Sequence, residues 1–137
     1  LTGAENMMIV QRSLRLERAQ VERAVATVRM TEQMDKRVRE YSLGMKQRLG
    51  IAIALVRDPQ LLILDEPGNN LDVASQRALT SALEGYGGAM LVVTHDLQIA
   101  RRCERICVLD GGRIVEAGIT AAVLDDPQHP ATRALVG

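Results

Sequence analysis

Through the first forty positions, Leu14, Val21, Ala24, Val25 and Val28 recur near helical spacing with Arg and Glu between them, so residues 1–40 read as helical. Thr2 stands three residues before Glu5, the spacing of a capping box at a helix start. A second helix is expected from Ser42 or Gly44, with Met45, Leu49, Ala52, Ile53 and Val56 as its apolar stripe. Asp58-Pro59 ends it, because the residue before a proline is pushed out of the helical region. The period then changes. Leu61–Leu64 is a short apolar run, read as a strand buried on both faces. Residues 73–84 are helical in pattern, and Gly85, Gly87 and Gly88 break the chain. Met90–Thr94 predicts a second strand, residues 97–103 a short helix, and Arg105–Leu109 a third strand. Asp110-Gly111-Gly112 signals a tight turn that returns Arg113–Ala117 as the other arm of a hairpin. Residues 119–124 form a helical turn. The tail, "DDPQHPATRALVG", is expected to be part coil and part terminal helix.

Strand, helix, strand, helix, strand is the grammar of a parallel sheet with helices on its faces, an α/β architecture. In such sheets ligands bind beyond the carboxyl ends of the strands. The first two strands run into Asp65-Glu66 and His95-Asp96. If they are neighbours, acids and an imidazole share one rim.

The chain has 137 residues, with 47% hydrophobic and 25% charged residues, no Trp or Phe, and two Tyr. That is the make-up of a single soluble globular domain whose core is built from Leu, Ile, Val, Ala and Met. Formal net charge is zero, yet residues 1–57 carry 11 Lys+Arg against 6 Asp+Glu, and residues 58–137 carry 6 against 11. The basic half reads as a solvated helix surface or as a face for an anionic ligand or partner. Cys103 and Cys107 do not form a metal motif. They lie across an expected helix end and strand start, which predicts two free thiols and a reducing, cytosolic setting. No apolar run approaches the roughly 18 residues that span a bilayer, and no signal peptide is evident. The sequence starts at Leu1 and reads as an excerpt of something longer.

The candidate chemistry lies in three places. At the end of Leu61–Leu64, one of the adjacent carboxylates Asp65 and Glu66 can serve a magnesium ion, directly or through water. The other points elsewhere, because side chains alternate along a strand, and can orient or deprotonate a water. Pro67 stops the strand. In "YSLGMKQRLG", Tyr41 to Gly50, a Ser and a Gly open a helix with Lys46 and Arg48 in its first turns. Such an end suits an anion through its free N–H groups and dipole, although, taken alone, a plain Ser N-cap is the stronger explanation. His95 is either a helix cap or buried histidine, or a contact to a terminal phosphate.

Taken together, "YSLGMKQRLGIAIALVRDPQLLILDEP", "NLD" and "VVTHD" resemble, in that order and spacing, the ATP-binding domain of ABC proteins. "LTGAENM" is similar to the opening of the helical subdomain in drug- and bacteriocin-exporting members. The resemblance implies a partial P-loop ATPase fold: a helical signature subdomain over residues 1–57, part of a mostly parallel sheet with flanking helices and a C-terminal hairpin over 58–118, and a tail over 119–137. It implies ATP and Mg2+ as ligands, with Asp65 serving the metal and Glu66 polarising the attacking water. Ser42, Gly44 and Met45 fall in the signature motif, which contacts the γ-phosphate of ATP held by a second ABC ATPase domain. Asp72 matches the D-loop aspartate that couples the two sites, and His95 the switch histidine at the γ-phosphate. The implied parent is an ATP-hydrolysing transporter subunit, cytoplasmic and peripheral at the inner face of the membrane, partnered by a transmembrane permease.

The sequence departs from that pattern at several points. Leu43 and Met45 stand where the usual signature has Gly and Gln, and Gly68 follows Pro67 where Thr is usual. "GNNLD" is closer to soluble ABC proteins that act on ribosomes. That alternative brings a nucleic-acid partner, which the transporter reading does not expect. The tail resembles oligopeptide-importer ATPases. No G-x-x-x-x-G-K-[ST] occurs in the 137 residues, so the loop that cradles phosphates is not among them. The chain alone is therefore expected to be inactive.

Overall fold

The structure is a computed structural model that describes residues 1–69 and 71–137. Asn70, the first residue of the "NLD" stretch, lies outside the described residues. The chain divides into two units, Leu1–Val93 and Thr94–Gly137.

In the first unit, α1 (Gly3–Leu14) is capped as its sequence predicts. Glu5 N–H donates to Thr2 Oγ1 at 3.1 Å, and Thr2 N–H to Glu5 Oε2 at 2.7 Å. The long helical block expected over 1–40 is two helices and two single turns. Arg15 takes a left-handed conformation (φ 54°), and Leu16 N–H closes back on Gln11 C=O at 2.9 Å, which terminates α1. α2 (Arg18–Thr27) restarts with Glu17 N–H donating to Gln20 Oε1 at 2.9 Å. Beyond it lie only short 3-10 turns at Thr31–Gln33 and Val38–Glu40. This stretch folds back over the start of α1. Gly3 N–H donates to Lys36 C=O at 3.1 Å and Ala4 N–H to Met34 C=O at 2.9 Å. Those carbonyls satisfy first-turn donors of α1, which a helix over 31–40 would have kept for itself.

α3 (Leu43–Leu55) starts at Ser42 and packs on α2. Leu49, Ala52 and Val56 face the core as expected. Ile53 does not: it is 37% exposed, and Ile51 is buried in its place. β1 (Leu61–Asp65) and β2 (Ala89–Val93) run parallel in register, from Leu61 opposite Ala89 to Asp65 opposite Val93. α4 (Val73–Glu84) connects them and buries Ala78, Leu79, Ala82 and Leu83. Leu62 and Leu64 join the core with Met7, Val28, Met30 and Leu79. The expectation that β1 is buried on both faces is corrected. Leu61 and Ile63 are 55% and 62% exposed, as are Leu91 (54%) and Val93 (50%) opposite Ile63 and Asp65. One sheet face packs on helices and the other is uncovered.

In the second unit, α5 (Leu97–Ala100) is shorter than the 97–103 expected, because Arg102 and Cys103 close only turn-type bonds to Ile99 and Ala100. β3 (Arg105–Asp110) does not extend the parallel pair; it joins β4 (Arg113–Ile119) in a separate antiparallel hairpin. The turn explains this. Gly111 and Gly112 both have positive φ, 54° and 75°, the type I′ geometry that matches strand twist. α6 (Thr120–Asp125) and α7 (Pro130–Val136) complete the tail, with Pro130 in the first helical turn of α7.

Candidate functional site

β1 and β2 end at the same edge, and that edge carries the two acids. Asp65, the last residue of β1, is exposed and shares a face with Leu61 and Ile63. Glu66 is half-buried and leaves the strand by a different route. Its backbone sits in the left-handed region (φ 45°), which L residues other than Asn and Asp seldom visit. Its N–H donates to Val93 C=O at 2.7 Å, so β2 holds it. Its C=O accepts Asn69 N–H at 3.1 Å, which closes a turn over the buried Pro67 and Gly68. The carboxylates are thus separated by backbone geometry as well as by strand alternation.

The start of α3 lies in the same unit. Ser42 Oγ accepts Met45 N–H at 3.2 Å and caps the helix. Met45 is half-buried against the core. Gly44 is buried because α4 and the turn before it pass close by, at Ser75 and Leu71. Asp72 is exposed and caps α4, accepting Ser75 N–H at 2.7 Å. The Ser75 N–H, and after it the Ser75 hydroxyl and the positive Arg48, hold its carboxyl below the usual carboxylate range. His95 is an exposed residue of the bend between Val93 and Asp96 and belongs to the second unit. There Asp96 caps α5, accepting Gln98 N–H at 2.8 Å.

Sequence reasoning passed over the amides that hold the strand-end turn. Gln47, on α3, donates from Nε2 to Glu66 C=O at 3.2 Å and also to Pro67 C=O. Gln76, on α4, reaches Gly68 C=O at 3.5 Å. Both are polar residues on helix faces turned toward a strand end, a weak signal beside the acids themselves. Arg48 does more than carry charge on α3. Its Nη1 donates to Arg29 C=O at 3.3 Å, and its Nε is buried without a partner.

Among the described residues, no three or more His, Cys, Asp and Glu side chains gather as a metal-binding set. Magnesium does not need one, since it keeps several waters and takes one or two carboxylates together with substrate phosphates. An exposed carboxylate at a strand end is the hard oxygen donor such an ion uses, so Asp65 fits it.

Residues 1–69 match the family model described as ABC transporter. The chain belongs to the ABC transporter family. Ser42, Gly44, Met45, Asp65 and Glu66 lie inside the matched residues; Asp72 and His95 lie beyond them. The chain is 46% identical over 101 residues to PhnK of Escherichia coli (strain K12), an ATP-binding protein named for phosphonates utilization; the match covers 70% of this chain and 40% of that protein. It is 35% identical over 133 residues to the Nod factor export ATP-binding protein I of Rhizobium meliloti, covering 91% of this chain and 40% of the relative. It is 43% identical over 111 residues to the peptidoglycan transport ATP-binding protein YejF of Agrobacterium fabrum, covering 74% and 20%. The chain therefore spans well under half the length of these relatives. Family membership and the small parallel sheet bear out the α/β, partial P-loop ATPase reading. No helix among the described residues is long and apolar enough to cross a membrane.

Proposed function

We propose that these residues are the signature-bearing and acid-bearing part of an ATP-hydrolysing subunit that drives an ABC transporter. The observation that carries the reading is the end of β1, where Glu66 is held out of the strand in a left-handed conformation beside an exposed Asp65. Strained backbone at a polar strand end is the mark of a positioned group. Glu66 is the base that polarises the attacking water. Asp65 serves Mg2+, which when bound neutralises charge on the phosphates of ATP. Ser42, Gly44 and Met45, at the N-terminus of a 13-residue helix, meet the γ-phosphate of ATP held by a second ATPase domain. Asp72 couples the two sites, and His95 is the switch histidine that contacts a γ-phosphate. Residues 1–57 act as the helical subdomain, 58–118 as core, and 119–137 as a tail.

A phosphate loop outside these 137 residues completes the site, so the isolated chain neither binds ATP tightly nor turns it over. A transmembrane permease is the partner, and the subunit sits at the inner face of the membrane. Relatives named for Nod factor export and peptidoglycan transport support this over a soluble role on the ribosome.

The test is Ser42→Arg in the full-length protein. Bulk and positive charge then stand where the second domain's γ-phosphate must fit. Turnover is expected to fall roughly 100-fold and its cooperativity in ATP to disappear, with nucleotide affinity retained. Normal cooperative turnover by this variant would remove α3 from the composite site.

A further inference from the structure

Three successive carbonyls, those of Glu66, Pro67 and Gly68, are met by side-chain amides from two helices. Gln47 of α3 reaches the first at 3.2 Å and also the second, and Gln76 of α4 reaches the third at 3.5 Å. Both partners of Gln47 are carbonyl oxygens, so only its NH2 group can face them. The contact spans 19 residues of sequence to Glu66. It ties the turn to a helix and not merely to itself.

We propose that Gln47 is a positioning residue that sets the direction of the Glu66 carboxylate and couples it to the N-terminus of α3. Glu66 has a backbone conformation that its own side chain does not favour (φ 45°). Such a conformation persists only where its surroundings over-determine it. Val93 fixes the N–H of Glu66, Asn69 closes the turn on its C=O, and Gln47 donates to that same C=O from α3. Gln47 lies little more than one helical turn beyond Ser42. A shift or tilt of that helix end, such as an anion at Ser42 and Gly44 would bring, therefore pulls directly on the peptide that follows the base. The amide does not touch substrate. It acts through Glu66, and its catalytic consequence rests on the proposal that Glu66 is the base.

Two substitutions separate the donor from the bulk. Gln47→Met keeps the reach and loses the N–H groups; Gln47→Lys keeps both a similar reach and the donors. In the full-length protein, Gln47→Met is expected to lower kcat roughly 10- to 100-fold, with KM for ATP within about threefold. Gln47→Lys is expected to recover most of that loss. In the same variants, amide exchange at Asn69, whose N–H bonds to Glu66 C=O, accelerates about tenfold or more with Met and stays near wild type with Lys. Wild-type kcat and wild-type Asn69 exchange in Gln47→Met would overturn the proposal, as would a Lys variant as impaired as Met while both melt at the wild-type temperature. Wild-type turnover by Glu66→Gln would overturn the base assignment and the catalytic half of this inference with it. Wild-type turnover by Gln47→Met, in a protein that Glu66→Gln inactivates, would overturn this inference alone.

Discussion

A methyl group placed on Gly44 would stand 2.9 Å from Ser75 Oγ, and 3.2 Å from both Ser75 Cβ and Leu71 Cδ2. A glycine at a helix start leaves room for an anion to approach the backbone. The geometry supplies a second reason, because α3 and the start of α4 come too close for a side chain. Gly44→Ala gains up to about 1 kcal/mol in helix propensity, but overpacking costs typically 1–3 kcal/mol. Net destabilisation of about 1 kcal/mol is expected in denaturant unfolding. In a Ser75→Gly background the cost shrinks, giving a coupling above about 0.5 kcal/mol in a double-mutant cycle. Strict additivity would mean that the contact does not limit position 44. The same scale separates what the sequence could tell from what it could not. A Ser at a helix start and paired acids after four aliphatics are local signals, and Ser42 does cap α3. That Gln47 would hold Glu66 depends on a contact across 19 residues, which no local pattern encodes.

Elements were legible where short-range geometry decides them. The Thr2–Glu5 capping box and the Gly111-Gly112 turn form as expected because three or four residues suffice to define each. The helical reading over 31–40 fails because tertiary hydrogen bonds from Gly3 and Ala4 take the carbonyls of Lys36 and Met34. In the second unit a comparable tie joins β4 to the loop before α7. The Glu116 carboxylate accepts the N–H groups of Gln128 and His129, each at 3.0 Å. The Gln128 N–H above all holds its carboxyl below 4.5, the ordinary value. A depressed folded-state pKa means that the unfolded chain binds the proton more readily, so this tie is complete above the ordinary carboxylate range and is lost as pH falls through the lower, folded value. The Gln128 and His129 amide resonances should therefore titrate with Glu116 below pH 4.5. Glu116→Gln should abolish that transition. Its persistence in the variant would point to another group.

At the scale of the whole molecule, the first unit is one-sided. Leu62 and Leu64 are buried against helices, while Leu61, Ile63, Leu91 and Val93 are at least half exposed on the other face of the same two strands. An apolar run says that a strand can be covered on both faces. It does not say which element covers the second one, which is why the sequence suggested full burial. A contiguous apolar face promotes association. The 137-residue chain should self-associate with rising concentration in sedimentation, and Ile63→Thr with Leu91→Thr should weaken that association at little cost to strand propensity. Unchanged association would place the contact elsewhere. The function proposed for this molecule is chemical: Glu66, held out of β1, activates water. The most direct measurement is ATP binding and single-turnover hydrolysis by Glu66→Gln in the full-length protein. Loss of the base should leave nucleotide affinity within a few-fold of wild type and slow hydrolysis by roughly 100- to 10,000-fold. Hydrolysis at the wild-type rate would contradict the account.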